Sequence, residues 1–155
     1  MIALFGLLLA TAFPSTNLTS WMRPQSFHLR IGMSRADSLK AIEAFKPEVT
    51  ADTATFDYSD ARTVTLQFRN DRLHTLRFEL FGFLHEARAA FDEEKGYLLA
   101  SMGPPPRAGQ SKSIVLYDDR LPNVIVVLSA DPKSEQGQKG IGMLAVRYYD
   151  PATGR

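Results

Sequence analysis

Phe45-Lys46-Pro47, Tyr58-Ser59-Asp60 and Thr63-Val64-Thr65-Leu66-Gln67-Phe68 stand in the same order as Met102-Gly103-Pro104, Tyr117-Asp118-Asp119 and Asn123-Val124-Ile125-Val126-Val127-Leu128, about 60 residues further on. Each triplet reads as a helix end, a strand end and the next strand. Self-similarity at a fixed spacing predicts a duplicated unit whose halves share one core. The first half supplies the detail. Ser34 is a good N-cap with Asp37 three positions on, and Ala36, Leu39, Ile42 and Phe45 recur along one helical face until Pro47 ends it. Ala54, Phe56 and Tyr58 alternate with polar residues, as do Val64, Leu66 and Phe68, and then Leu76, Phe78 and Leu80 after an Asn70-Asp71 turn.

In the second half a helix is expected from about Phe83 to Met102. Leu84, Ala87, Phe91, Leu98 and Met102 form its apolar face, Asp92, Glu93 and Glu94 its solvated one, and Gly103 its C-cap. Ser113–Tyr117, Asn123–Leu128 and Met143–Tyr149 read as strands, with a polar, glycine-containing loop over Asp131–Gly140. The predicted fold class is therefore α+β. Two tandem helix-plus-three-antiparallel-strand units, about 31–80 and 83–150, form one sheet with both helices packed on one face.

Ile2 to Ala12 is an apolar run closing on Ala10-Thr11-Ala12, the small-residue pattern of a leader cleavage site, with no Lys or Arg before it. It is far short of the roughly 20 residues a spanning helix needs. Residues 1–12 are read as a signal peptide, the other reading being a strand or helix of the core. Residues 13–26 are read as a flexible spacer, within which Trp21 and Met22 could act as a peptide-like anchor, and 27–151 as a single α+β domain. Phe27-His28-Leu29-Arg30-Ile31 alternates and is expected to open that domain as a short strand. The expected location is periplasmic or secreted.

The 155 residues are 45% hydrophobic and 23% charged, the balance of an ordinary globular domain, and the net charge of +1 gives no case for nucleic acid. The absence of cysteine excludes disulfides, thiolate metal sites and a lipidated cysteine. His28, His74 and His85 have no helical i, i+4 spacing for a metal, and the acidic clusters Asp57/Asp60, Asp92-Glu93-Glu94 and Asp118-Asp119 read as turns and a helix surface. No phosphate loop, dinucleotide fingerprint or nucleophile elbow is present, so no cofactor is expected.

Ile31-Gly32-Met33-Ser34 opening a short helix, followed by paired strands around an Asn70-Asp71-Arg72-Leu73 turn, resembles the small periplasmic domains grouped around the β-lactamase inhibitor protein. It is similar also to the small lipoprotein of the outer-membrane barrel-assembly machinery. The resemblance covers about Ile31 to Leu80 directly and implies helix-plus-hairpin units in tandem and the habit of binding other proteins. The chain departs from it in lacking the disulfides of the inhibitor relatives and the lipidated cysteine of the lipoprotein.

The functional expectation is an exported, non-catalytic module that binds a protein partner in the cell envelope. Phe81, Phe83, Val115, Val127, Tyr148 and Tyr149 are its candidate contact surface. The alternatives are a carrier or sensor of a small apolar ligand held between sheet and helices, and a hydrolase using His74 or Asp119.

Overall fold

Alternating apolar and polar residues make the extended segments of the first half two-faced, and one antiparallel sheet joins their apolar sides to the strands of the second half. The structure, a computed structural model, describes residues 18–106, 111–117, 123–129 and 140–150. The strands are β1 (Glu48–Val49), β2 (Thr53–Ser59), β3 (Arg62–Arg69), β4 (Arg72–Phe83), β5 (Ile114–Tyr117), β6 (Asn123–Ser129) and β7 (Ile141–Tyr149). They form one seven-stranded antiparallel sheet in the order β1-β2-β3-β4-β7-β6-β5. The helices are α1 (Arg35–Ile42) and α2 (Leu84–Met102). The β3–β4 hairpin turns on Asn70 and Asp71, both at positive φ, as a tight turn matched to strand twist requires.

The middle of the sheet is the long β4–β7 ladder, in register from Thr75 opposite Tyr149 to Phe83 opposite Ile141. Because successive side chains point to opposite faces, this register sends Leu76, Phe78, Leu144, Val146 and Tyr148 to one side. Ala54 and Phe56 of β2, Val64 and Leu66 of β3, and Val124 and Val126 of β6 join them there, all buried in a single cluster. Helix α2 lies against β4, β6 and β7. It comes close because Gly142 has no side chain: a Cβ there would stand 3.2 Å from Ala87 Cβ and Leu84 Cδ1. The N-cap of α1 is as expected, with the Asp37 N–H donating to Ser34 Oγ at 3.1 Å. α1 buries Ser38 and Ile42 and gives way to a 3-10 turn, Glu43–Phe45, just ahead of Pro47.

The structure corrects two expectations. Residues 18–26 are not a spacer. Trp21 is 5% exposed, Met22 and Thr19 are fully buried, and Trp21 stacks on Tyr58 at 5.4 Å while meeting Phe78 edge-on at 5.9 Å. The segment is polar by composition, yet the adjacent Trp21 and Met22 both find the core, with Leu18 packed against it, so Trp21 and Met22 are not a free anchor either. Residues 27–31 do not form a strand. Pro24 starts a 3-10 turn over Pro24–Phe27, and His28 leaves it in a left-handed conformation. The alternation is nonetheless real as burial, since Phe27 and Leu29 are inside and His28 and Arg30 outside. Phe27 meets Phe56 and Phe78 on the buried side of the sheet, and the backbone pairs with β4 just beyond this segment, at Gly32 and Met33. Residues 1–17, Asp118-Asp119, most of the 131–140 loop and the tail after Asp150 fall outside the described residues.

Burial of the amino-terminal segment sets its energetic weight. Trp21→Ala is expected to lower unfolding stability by about 3–5 kcal/mol, the range for deleting a large buried aromatic. Urea denaturation of the full chain checks it, and a loss under about 1 kcal/mol would mean that the segment is a surface appendage.

Candidate functional site

Helix α2 presents Ala87, Ala90, Phe91, Glu94 and Leu98 to the interior. One of these five is an acid. Glu94 has no exposed surface, and neither of its oxygens completes a hydrogen bond of standard geometry among the described residues. Its charged neighbour is Arg23, whose guanidinium stands 3.7 Å away and lies over the Tyr97 ring at 3.4 Å from the centroid. Burial pushes the Glu94 carboxyl up to about 7, against the opposing pull of the Thr19 hydroxyl and of Arg23, with the Glu93 charge adding to the rise. Tyr148 is raised as well, by burial first and then by the Glu94 charge.

Neighbouring Glu93 has a different task. Its carboxylate accepts from the Leu18 N–H at 3.1 Å, the Thr19 N–H at 3.2 Å and the Thr19 hydroxyl at 3.3 Å. Glu93 and Glu94 therefore fasten the amino-terminal segment across α2, one through hydrogen bonds and one through Arg23. The expectation that Asp92-Glu93-Glu94 forms one solvated helix surface is corrected at Glu94. The sequence did hold a signal for it: Phe91, Glu94 and Leu98 follow the i, i+3, i+7 stripe of a buried helix face.

Next to this carboxylate a cavity of about 520 Å³ opens between three elements. Leu29 and Ile31 come from the amino-terminal segment, Leu98 and Met102 from α2, and Val124 from β6. The rings of Tyr97 and Tyr148 form part of its wall, so the Glu94–Arg23 group lies behind them.

The second candidate is the sheet face turned away from α2. Its first half is polar, carrying Thr53, Thr55, Thr63, Thr65 and Gln67. Its second half is apolar. The register aligns Phe81 with Met143, Ala145 with Val127, Val127 with Ile114, and Ile125 with Leu116. Phe81 and Phe83 at one end are 45% and 59% exposed, and Ile125, Val127, Met143 and Ala145 are half-buried. Arg77 and Arg147 edge a shallow depression among them, Arg77 paired with Glu79 at 2.8 Å and Arg147 lying 5.4 Å from the Tyr149 ring.

Of the six residues expected at a contact surface, Phe81, Phe83, Val127 and Tyr149 are on this face. Val115 and Tyr148 are not. Val115 pairs with Val126, and Tyr148 with Leu76 and Val124, so both belong to the rows under α2. The alternation in these strands is apolar on both sides, and only the register tells the two sides apart. Met143 and Ile114 are surface residues that the sequence pattern does not single out, and of the alternates Ile125 and Val124 the register puts Ile125 on this face.

The histidines are scattered. His28 is exposed, His85 stacks on Phe83, and His74 Nδ1 lies 2.7 Å from the Thr75 hydroxyl beside a polar groove lined also by Asp52 and Arg69. Among the described residues no three His, Asp or Glu side chains gather as a metal site, and no helix is long and apolar enough to cross a membrane. The chain matches no family model, no curated protein and no solved structure.

Glu94 generates a signed pH dependence. Its folded pKa is raised, so its contribution to stability is full below the unfolded value of 4.5 and is lost as pH rises through about 7. From the shift between 4.5 and about 7, the free-energy difference between wild type and Glu94→Gln should change by about 3 kcal/mol across that window. Wild type loses ground toward high pH. Chemical denaturation at a series of pH values measures the difference, and a flat profile would mean that Glu94 is solvated in the native state.

Proposed function

We propose that this chain is an exported, non-catalytic protein-binding module built from two tandem helix-plus-strand units. The observation that carries the reading is the apolar patch on the open sheet face from Phe83 and Phe81 through Met143 and Ala145 to Val127 and Ile125. Contiguous exposed apolar surface on a small domain is costly in water and marks a contact site more often than chance placement. Aromatic and methionine side chains within the patch and arginine at its border match residue types enriched at interfaces. The partner that fits is a protein surface with an apolar centre and an acidic group to meet Arg147.

The two-unit reading is supported by strand order. The strands β2-β3-β4 and β5-β6-β7 each follow one of the two helices, and their last members, β4 and β7, are neighbours. The resemblance of Ile31–Leu80 to inhibitor-protein-like periplasmic domains points the same way, as does the leader-like apolar run for export. A second reading, a carrier of a small apolar ligand, is favoured by the cavity between α2, β6 and the amino-terminal segment.

Immobilised full chain, exposed to extract of its native envelope, should retain a partner that Phe81→Asp and Val127→Asp both release, with the melting temperature held within a few degrees. A charge placed in the centre of an interface commonly lowers affinity at least about tenfold. Equal retention by wild type and both variants, or no retention by any of them, overturns the reading.

A further inference from the structure

The cavity beside α2 has features that the protein-binding reading does not use. Its walls are apolar where Leu29, Leu98, Met102 and Val124 meet, and its volume of about 520 Å³ is within the range of small-molecule sites. Among the described residues, Arg30 is the one charged group in its lining. That guanidinium is exposed and its side chain makes no hydrogen bond or ion pair among the described residues. Glu93 and Glu94 are already engaged. Glu93 is held by the Leu18 and Thr19 N–H groups, and Glu94 is fully buried behind Tyr97 and Tyr148 with Arg23 beside it. An apolar slot whose described lining carries one cation without a side-chain partner among the described residues selects a molecule that is mostly hydrocarbon and carries one negative charge.

We propose that this cavity binds a single-chain monoanionic amphiphile, with its hydrocarbon between Leu98, Met102 and Val124 and its anionic head at Arg30. The assignment rests on the ligand-carrier reading and adds the charge and the class of the ligand. The site is on the α2 side of the sheet, opposite the apolar open face, so an amphiphile and a protein partner could be held together.

The test is calorimetric titration of the full chain with tetradecanoate below its micellar concentration, beside tetradecyltrimethylammonium and methyl tetradecanoate. Arg30→Glu alters an exposed side chain outside the core, and Ser101→Phe fills the cavity from an exposed position on α2. Tetradecanoate is expected to bind saturably, about tenfold more weakly to Arg30→Glu, and not at all to Ser101→Phe. Circular dichroism and melting should show both variants folded. Equal binding of the cation, or binding that Arg30→Glu leaves unchanged, overturns the anionic assignment while leaving the carrier reading standing. Binding unchanged in Ser101→Phe removes the ligand from this cavity. No heat from any of the three probes overturns the assignment and the carrier reading together.

Discussion

The β4–β7 ladder is the constraint from which the remaining arrangement follows. It runs nine residue pairs without a break, Thr75 with Tyr149 through Phe83 with Ile141. It joins the strand that closes the first half of the chain to the strand that closes the second. A slip of one residue would turn Leu144, Val146 and Tyr148 to the open face and bring Met143, Ala145 and Arg147 against α2. Gly142 would leave a position where α2 comes too close for a side chain to fit without a shift. The register thus fixes the core, the seat of the long helix and the composition of the exposed face at once.

Much of this is legible in the sequence because local patterning and tertiary packing agree. The alternation in 53–59, 62–69 and 72–80, the Ser34 cap, and Gly103 at the end of α2 all report structure formed over a few residues, and each is where the pattern puts it. What escapes depends on distant partners. Trp21 and Met22 belong to a segment whose own composition is that of a linker, and its order comes from Tyr58, Phe78 and the Glu93 carboxylate. The short strand β1 is two residues long, below any periodic signal. Val115 and Tyr148 lie on the face opposite the expected one because β5, β6 and β7 carry apolar residues on both sides, leaving the pattern without a phase.

Glu94 shows the same limit from the other direction. Its charge places it with Asp92 and Glu93 at the surface, while its helical phase places it with Phe91 and Leu98 inside. Phase wins, since α2 cannot bury Phe91 and Leu98 without carrying Glu94 with them. The cost of that burial is relieved in part by Arg23, which reaches in from the amino-terminal segment. The buried acid is therefore a reason for that segment to stay in place, and the cavity walled by Leu29 and Ile31 exists only while it does. Among the described residues, core, strap and cavity form one connected unit on the α2 side of the sheet.

Native-state hydrogen exchange tests the shared interior most directly. If the two halves exclude water from a single core across the β4–β7 ladder, the slowest amides of β3, β4, β6 and β7 exchange together, through one global opening with a common free energy. If the amides of β2–β4 open with a free energy of their own while those of β6 and β7 stay protected, the halves are separate cooperative units and a shared core is contradicted.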